Sequence, residues 1–325
     1  MNEILVFGGC GYVGSRLVEK LLDKGFKVIV FDLLIFGNYL SAHENLKVIK
    51  GDIRDIKKIE KEIKTIDTVV HLACISNDPS FELNPNLSFE INFKYFEPLV
   101  KLCKLKNAKK FIFMSSSSVY GVKDENDVVE SMSLKPLTDY SKYKAKCEDV
   151  LLKYDDNNFC TTILRPATVC GFSPRQRLDL VVNILTNFGY HKKMIQVFGG
   201  NQLRPNIHID DLCDAVMHID SMESQFVKGE IFNVGFENYK VSELAEKVRD
   251  LLKNDIEILY KKTDDNRSYH ISSQKIISKT NFRAKRNISV AIDDLINAFK
   301  NKKFQNTFEN ENFFNIKKMQ SINLV

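Results

Sequence analysis

A glycine-rich turn constrains this chain more than any other feature of its sequence. The segment LVFGGCGYVG at 5–14 places Gly8, Gly11 and Gly14 directly after an apolar run and at the start of an amphipathic one. In such a strand-to-helix turn one glycine permits the bend, one lets backbone N–H groups approach a phosphate, and one lets the helix pack on the sheet. The helix N-terminus then stabilises the phosphate charge. The sequence therefore predicts a dinucleotide-binding turn.

Acidic residues after the next two predicted strands fit this interpretation. Asp32 closes the second strand, 21 residues after Gly11. A carboxylate there accepts hydrogen bonds from the ribose hydroxyls of NAD and repels the additional phosphate of NADP. Asp52 follows the third strand in the segment GDIRD and is predicted to reach the adenine, with capping of the next helix as its alternative role. The sequence thus favours NAD over NADP.

The apolar runs predict a parallel sheet covered by helices on both faces. Predicted strands lie at 4–7, 27–31, 46–49, 68–72, 110–114 and 160–164, and predicted helices at 12–24, 56–63, 88–106 and 140–154. Continuous apolar strands that alternate with helices are typical of buried parallel sheets. With right-handed crossovers, residues 1–170 are expected to form an α/β, Rossmann-type doubly wound parallel sheet that binds NAD.

The pattern changes near residue 171. Strands are predicted near 195–198, 230–234 and 255–260, and helices at 179–188, 210–220, 241–252 and 290–299, a spacing too irregular to extend the sheet simply. We expect residues 171–300 to form mainly a smaller C-terminal α/β lobe that binds the substrate. Residues 301–325 are rich in Asn and Lys, which predicts a partly disordered, flexible tail.

Composition argues against several classes of partner and site. The net charge of +5 is spread over 47 basic and 42 acidic residues without a dense basic stripe, so no nucleic-acid partner is expected. No apolar run is long enough to span a bilayer and no signal peptide precedes the first strand, so we expect a cytoplasmic protein with no membrane partner. Seven cysteines without a CxxC pair predict buried free thiols and no metal site.

A tyrosine and a lysine carry the predicted chemistry. Tyr140 and Lys144 are four residues apart, so they share one face of a helix. Hydride removal from a secondary alcohol also requires removal of the hydroxyl proton, and lowering a tyrosine pKa from about 10 to about 7 needs roughly 4 kcal/mol. One ammonium about 4–5 Å away supplies about that much at an effective dielectric near 20. Alone, a Tyr and a Lys at this spacing usually form a surface pair. Here a catalytic role is favoured because the pair follows the glycine turn and the serines at 115–118.

The sequence resembles the extended short-chain dehydrogenases/reductases of the nucleotide-sugar epimerase and dehydratase group. The resemblance covers about residues 3–300 and rests on GGCGYVG, HLAC at 71–74, SSSSVYG at 115–121, YSKYK at 140–144, LRPATVCG at 164–171 and RPNIHIDDLCDAV at 204–216. It implies NAD as cofactor and a nucleotide-diphosphate sugar as substrate. It also implies a homodimer, because helices equivalent to 88–106 and 140–154 pair into a bundle in that family.

The resemblance assigns roles to individual residues. Ser116 matches the hydroxyl catalyst, Tyr140 the base, and Lys144 the residue that lowers the tyrosine pKa and holds the nicotinamide ribose. The positions expected to bind the cofactor are Gly8, Gly11, Tyr12, Val13, Gly14, Asp32, Asp52, Ile53, Leu72, Ala73, Asn92, Tyr140 and Lys144. Those expected to bind the substrate are Ser118, Thr168, Arg175, Arg204 and Arg267.

Four arginines are candidates for binding the substrate, and the sequence supports them unequally. Arg204 and Arg267 match basic residues that clamp the substrate diphosphate, and a bidentate guanidinium suits a pyrophosphate. A surface salt bridge is the alternative role for Arg267. In the segment SPRQRLD, Arg175 and Arg177 are both available, and the sequence does not choose between them.

Two serines bear on the reaction type. Family members that dehydrate across carbons 4 and 6 carry an Asp–Glu pair directly after the hydroxyl catalyst, where this chain has Ser117 and Ser118. Neither serine can act as that acid or base, so 4,6-dehydration is disfavoured. The sequence favours an epimerase with a 4-keto intermediate, and a nucleotide-sugar 4-dehydrogenase or ketoreductase remains the alternative. A non-catalytic NAD-sensing protein is more remote, because such proteins usually lack the Tyr or the Lys.

Overall fold

The computed structural model describes residues 2–123, 125, 127–253, 255–263, 268 and 270–324. The strands are β1 (Glu3–Phe7), β2 (Lys27–Asp32), β3 (Leu46–Lys50), β4 (Thr68–His71), β5 (Lys110–Met114), β6 (Cys160–Pro166), β7 (Thr168–Cys170), β8 (Met194–Phe198), β9 (Leu203–His208), β10 (Glu230–Val234), β11 (Glu237–Lys240) and β12 (Glu257–Lys261). The helices are α1 (Tyr12–Asp23), α2 (Ile56–Glu62), α3 (Asp78–Glu82), α4 (Pro85–Phe89), α5 (Phe96–Leu105), α6 (Asp139–Leu152), α7 (Val181–Lys192), α8 (Ile209–Ser221), α9 (Ser224–Val227), α10 (Val241–Leu252), α11 (Gln274–Thr280), α12 (Ile288–Lys300) and α13 (Asn315–Ser321).

A parallel sheet forms the centre of the N-terminal region. Within the described residues it has seven strands in the order β10-β6-β5-β4-β1-β2-β3. Strand β1 pairs in parallel with β2 on one side and with β4 on the other, so the strand order reverses beside β1. Ligands of doubly wound sheets bind at such a reversal, at the carboxyl ends of the strands. The predicted Rossmann-type fold is confirmed, and its switch point lies at the glycine turn.

Side-chain alternation along the strands explains why both faces of the sheet are covered. Ile4 and Val6 of β1 belong to an apolar cluster that includes residues of α1 and α8. Leu5 and Phe7 point the other way, into a cluster that includes residues of α2, α5 and α6. Since successive strand residues face opposite sides, an apolar run of this kind is stable only between two helical layers.

The helix predicted at 88–106 is divided into three parts. Helix α4 begins at Pro85, with the Asn84 side chain accepting a hydrogen bond from the Leu87 backbone N–H. A π-helical turn at Glu90–Lys94 follows, and α5 comes after it. Such turns insert one extra residue into a helix and re-aim the side chains around it.

The C-terminal lobe is smaller than the N-terminal region, and no single position in the chain divides the two. Its sheets have the orders β11-β9-β7 and β12-β8, and helices α7, α10 and α12 pack around an apolar cluster that includes Ile195, Leu244 and Ile292. Strand β10, however, pairs with β6 in the central sheet, and α8 packs on α1. The predicted division at residue 170 is therefore incomplete, because the chain returns to the first unit after entering the lobe.

The segment after Lys300 is structured, in contrast to the predicted flexible tail. A 3₁₀ turn at Glu311–Phe313 leads into α13. Phe304 contacts the rings of Phe299 and Phe313, and Met319 is buried among apolar residues of the central region. The Asn- and Lys-rich composition concealed these apolar side chains, whose burial offsets part of the entropy cost of ordering the segment.

All seven cysteines have free thiols, and only Cys74 is not buried. Across the part of the chain that the structure describes, no helix has both the length and the apolar character needed to cross a membrane.

Candidate active site

A cavity of about 650 Å³ lies at the carboxyl edge of the central sheet and extends to the C-terminal lobe. The predicted site residues that line it are Gly8, Gly11, Tyr12, Val13, Gly14, Asp32, Asp52, Ile53, Leu72, Ala73, Ser116, Ser118, Tyr140, Lys144, Thr168, Arg175 and Arg204. Asn92 is not among the described residues that line the cavity. Arg267 lies outside the described residues. The fold thus brings together residues that the sequence spreads over more than 190 positions.

The glycine turn has the close packing that the sequence predicts. Gly8 has φ +81°, and a Cβ there would lie 2.6 Å from the Ala73 backbone nitrogen. A Cβ on Gly14 would lie 2.2 Å from the Gly8 carbonyl oxygen. Gly11 is the N-cap of α1, and no side chain caps the helix. The first N–H groups of α1 are therefore available to a phosphate at the cavity wall.

Asp32 is held rigidly at the end of β2. Its Oδ2 accepts a hydrogen bond from the Cys10 N–H at 2.9 Å, and its Oδ1 accepts one from the Leu34 N–H at 2.7 Å. Burial raises the pKa of this carboxyl, while the two backbone donors and the charge of Arg175 act in the opposite direction. Asp32 lines the cavity, so its remaining acceptor capacity is available to ribose hydroxyls.

Asp52 does not cap the helix that follows it. The N-cap of α2 is Asp55, whose side chain accepts a hydrogen bond from the Lys58 N–H. Asp52 instead forms an ion pair with Arg54, with Oδ2 and Nη2 2.7 Å apart, and lines the cavity beside Ile53. Burial raises the pKa of Asp52, but the Arg54 guanidinium more than offsets this and lowers it overall.

The side chains of two residues predicted to contact the cofactor form hydrogen bonds to other parts of the protein. The Tyr12 hydroxyl donates to the Gly171 carbonyl at 2.7 Å, so the side chain joins α1 to the segment that enters the C-terminal lobe. The Asn92 amide pairs with both backbone groups of Ile75, at 2.8 and 2.9 Å. The Asn92 side chain therefore supports the loop that lines the cavity, and its predicted contact with the cofactor remains a prediction.

Helix α6 presents the predicted catalytic pair. Thr138 caps the helix through a reciprocal bond with Ser141, so α6 begins immediately before Tyr140. One turn later, the buried Lys144 donates from Nζ to the Met114 carbonyl oxygen at 2.7 Å. Its ammonium lies 5.9 Å from the centre of the Tyr140 ring. The end of β5 therefore holds the lysine next to the tyrosine.

The serines after β5 differ in whether they line the cavity. Ser116 Oγ lies 2.9 Å from Ser118 Oγ and accepts a hydrogen bond from the Ser118 N–H at 3.1 Å. Both residues line the cavity, whereas Ser117 is buried and does not. A hydroxyl pair at the cavity wall can orient a substrate oxygen and share its proton.

The C-terminal lobe contributes the polar groups of the opposite wall. Thr168 begins β7, and Arg204 of β9 donates from Nη1 to the Leu203 carbonyl at 3.0 Å. Both residues line the cavity. Their role in binding the substrate remains a prediction.

Arg175 and Arg177 both reach the cavity, and they do so at different places. The Arg175 guanidinium lies 3.6 Å from the centre of the Phe36 ring and close enough to Asp32 to interact with its charge. This position is beside the glycine turn, so the prediction that Arg175 faces the substrate does not match its placement. Arg177 forms an ion pair with Asp179 at 2.8 Å and donates to Ser76 Oγ at 3.1 Å.

The residues present suit a bound dinucleotide. The uncapped helix α1, the Asp32 carboxylate and a buried Arg175 whose Nε lacks a hydrogen-bond partner among the described residues provide donors and acceptors for phosphates and ribose. The tyrosine and lysine of α6 line the same cavity. The fold and site together define an enzyme of the dinucleotide-dependent redox class.

Comparison with known proteins identifies the family. Residues 4–235 match the NAD dependent epimerase/dehydratase family, and the chain belongs to it. The UDP-glucose 4-epimerase of Lactobacillus helveticus is 28% identical over 271 residues, which cover 76% of this chain and 81% of that protein. NAD is therefore the cofactor of this enzyme.

Solved structures agree with the fold. The UDP-glucose 4-epimerase of Thermotoga maritima, solved with UDP-glucose, superimposes with a TM-score of 0.85 at 24% identity, covering 93% of this chain and 100% of that one. The UDP-N-acetylglucosamine 4-epimerase of Methanobrevibacter ruminantium M1, solved in complex with UDP-N-acetylmuramic acid, has a TM-score of 0.81 at 26% identity, covering 91% and 99%.

Sequence reasoning missed the polar residues that enter the cavity from outside the family motifs. Ser76, Asn77 and Asp78 follow the HLAC segment, and Asn315 comes from the C-terminal segment. The Thr138 hydroxyl donates to Asp78, so this loop also fixes the start of α6. The run SND before a proline signals a turn, but nothing in the sequence near Asn315 signals a site.

Proposed function

We propose that this enzyme is a nucleotide-sugar 4-epimerase that acts through a 4-keto intermediate. The observation that carries the proposal is that Ser116, Tyr140 and Lys144 line one cavity with the glycine turn. The similarity to a UDP-glucose 4-epimerase supports the same reaction class.

The roles of the protein groups follow from their positions. Bound NAD supplies the acceptor, and later the donor, of a hydride at the sugar carbon. Tyr140 accepts the hydroxyl proton as the carbonyl forms and returns it when the alcohol is restored. Lys144, fixed on the Met114 carbonyl, places a positive charge beside the tyrosine and favours its phenolate form. Ser116 orients the reacting oxygen and shares its proton.

The substrate half of the cavity suits a nucleotide-diphosphate sugar. Arg204 lines this half, and we propose that it binds the diphosphate, because a planar guanidinium matches two phosphate oxygens at once. Thr168 and Ser118 are placed to contact the sugar hydroxyls. Arg267 remains a predicted second clamp.

The serine positions favour epimerisation over 4,6-dehydration. Dehydration requires an acid for the departing hydroxyl and a base for the carbon 5 proton. Ser118 lines the cavity but is neutral, and Ser117 is buried away from it. With neither group at these positions, dehydration is disfavoured. Epimerisation results when the 4-keto sugar turns over in the site and takes the hydride back at carbon 4 on its other face.

Replacement of Tyr140 tests the proposed base. Tyr140→Phe should lower turnover by about 10²–10⁴-fold, because proton transfer loses its positioned group, while NAD affinity stays close to that of the wild type. Tyr143→Phe is the matched control, since Tyr143 lies in the same helix and packs against Phe81 and Phe93. Turnover of Tyr140→Phe close to the wild-type rate would exclude Tyr140 as the base.

A second experiment separates the reaction types. UDP-glucose and UDP-N-acetylglucosamine, followed by other nucleotide sugars, are incubated with the enzyme in deuterated water and observed by NMR. Inversion at carbon 4 without deuterium in any C–H bond supports the epimerase. Net formation of a keto sugar with reduced cofactor would indicate a dehydrogenase, and deuterium at carbon 5 would indicate a dehydratase.

We also propose that the enzyme is a cytoplasmic homodimer. Free thiols at all seven cysteines support a reducing compartment. Helices α5 and α6 pack side by side on one face of the sheet, where a second copy could complete a four-helix bundle. Light scattering during gel filtration at micromolar concentration should give twice the 37.4 kDa chain mass, and a monomer would refute the dimer.

A further inference from the structure

The C-terminal segment lies against the cofactor half of the cavity. Asn315, Met319 and Leu324 line the cavity together with the glycine turn. Met319 is 3% exposed and belongs to the same apolar cluster as Ile53, a predicted adenine contact. Helix α13 also packs on α3, which begins in the loop after β4. We call residues 311–324 the C-terminal strap.

Asn315 fastens this strap to two loops of the site. The buried side chain accepts a hydrogen bond from Arg175 Nη2 at 2.8 Å and donates one to Ser76 Oγ at 2.9 Å. The Asn315 backbone N–H donates to Asp179 Oδ2 at 2.9 Å. One residue of the strap therefore joins the loop after β4 to the loop that carries both arginines.

Arg175 is a buried cation with incomplete pairing. The residue is 2% exposed, its Nη2 bonds to a neutral amide, and its Nε has no hydrogen-bond partner among the described residues. Its backbone N–H donates to Ser15 Oγ at 3.2 Å in the first turns of α1, and its side chain lies over Phe36. Burying a guanidinium in this way is costly unless an anion completes its pairing.

We propose that the C-terminal strap closes over bound NAD and that Asn315 holds Arg175 against the NAD pyrophosphate. Arg175 lies between the first turns of α1 and the Asp32 side of the cavity, where a pyrophosphate joined to the Asp32-bound ribose would pass. The strap covers the adenosine end through Met319. NAD then dissociates slowly, which suits an enzyme that restores its cofactor within each cycle. This last consequence rests on the proposed epimerase function.

The first test measures NAD release without any sugar nucleotide. In Asn315→Ala, the dissociation rate of NAD, measured by displacement, should rise at least about tenfold, because Arg175 loses its support. Less NAD should also copurify with the protein. Gln320→Ala is the matched control, since Gln320 is exposed on the same helix. Release from Asn315→Ala at the wild-type rate would overturn the proposal.

Two further measurements test the same proposal if Asn315→Ala folds poorly. Arg175→Lys retains the charge but loses the planar fork, and it should also accelerate NAD release. Hydrogen exchange of the strap amides should slow when NAD is added to the wild type. Three results would each refute the assignment. The variants lose affinity only for sugar nucleotides, they lose affinity only for NADP, or the hydrogen exchange of the strap amides does not change when NAD is added. Because no turnover is measured, failure here is distinct from failure of the Tyr140→Phe test.

Discussion

At the scale of single residues, Asp32 connects backbone geometry to cofactor choice. Two backbone N–H groups fix its carboxylate, so the group does not need to reorganise when a ribose binds. A preorganised, charged acceptor contributes more to affinity than a mobile one, because little conformational entropy is lost on binding. The same fixed charge opposes a 2′-phosphate, which would have to approach it closely.

Substitution of Asp32 should therefore change cofactor selectivity. Asp32→Ala is expected to weaken NAD binding by about tenfold or more, the value of one or two charged hydrogen bonds, and to weaken NADP far less. Titration calorimetry with both cofactors measures the difference. Asp67→Ala is the control, because Asp67 also accepts a backbone N–H, from Glu3, but does not line the cavity. Equal losses for NAD and NADP would contradict the ribose role.

Most of the site could be predicted residue by residue because it lies in turns that directly follow strands. The glycine turn, Asp32 and Ser116 each come at the carboxyl end of a parallel strand, and those ends share one edge of the sheet. Tyr12 and Asn92 differ because their side chains take partners from distant segments, Gly171 and Ile75. A pairing across 159 positions has no local signal in the sequence.

At the scale of elements, a buried ion pair anchors the helix that carries Tyr140. Glu148 of α6 and Arg165 of β6 are each 3% exposed at the side chain, with Oε2 and Nη2 2.6 Å apart. The Ser115 hydroxyl donates to Glu148, and Arg165 Nη1 donates to the Tyr120 hydroxyl at 2.8 Å. The network joins α6 to β6 and to the segment that follows β5, so it fixes the position at which the helix presents its catalytic face.

Breaking this pair should destabilise the protein strongly. Glu148→Gln leaves a buried guanidinium without its counter-charge, which costs about 3–5 kcal/mol, whereas replacing both partners as Glu148→Leu with Arg165→Met should recover much of the loss. Urea unfolding followed by circular dichroism measures both. Asp139→Asn, which breaks only an exposed pair with Lys142 in the same helix, should cost less than about 1 kcal/mol. Similar midpoints for the two single variants would disprove the anchoring role.

Elements with strong periodicity were predicted well, and those set by tertiary contacts were not. The strand at 110–114 and the helix at 241–252 have the predicted bounds, since apolar spacing alone defines them. The helix predicted at 88–106 is interrupted by the π-helical turn at Glu90–Lys94, where Asn92 serves the neighbouring loop. Strands β7 and β11 are three and four residues long, too short to give a periodic signal.

At the scale of the whole molecule, the two regions are interleaved. Strand β10 and helix α8 return to the central sheet, and the C-terminal strap returns to the cofactor cavity. The cavity walls therefore come from both ends of the chain, so the site is complete only when the entire fold is formed. Composition could not reveal this arrangement, because a few buried side chains such as Phe313 and Met319 determine where the last residues lie.

A buried histidine in the central sheet makes the stability of the whole fold depend on pH. His71 is 3% exposed at the end of β4, and its ring stacks on Phe96 with centres 5.4 Å apart. Burial, and secondarily the charge of Lys144, lower the pKa of His71 from 6.5 to about 3. Between these values the unfolded chain binds a proton that the folded chain does not. The contribution of His71 to stability is thus complete above pH 6.5 and is lost as the pH falls toward 3.

Replacement of His71 should remove this part of the acid sensitivity. Between pH 7 and pH 5 the wild type is expected to lose about 2 kcal/mol more than His71→Leu, because one proton is bound on unfolding over about 1.5 pH units. Denaturant unfolding of both proteins at the two pH values measures the difference, and every other titrating group cancels between them. His43→Leu, at an exposed loop position, should lose as much stability as the wild type. Parallel pH profiles for the wild type and His71→Leu would mean that the pKa of His71 is the same in the folded and unfolded states.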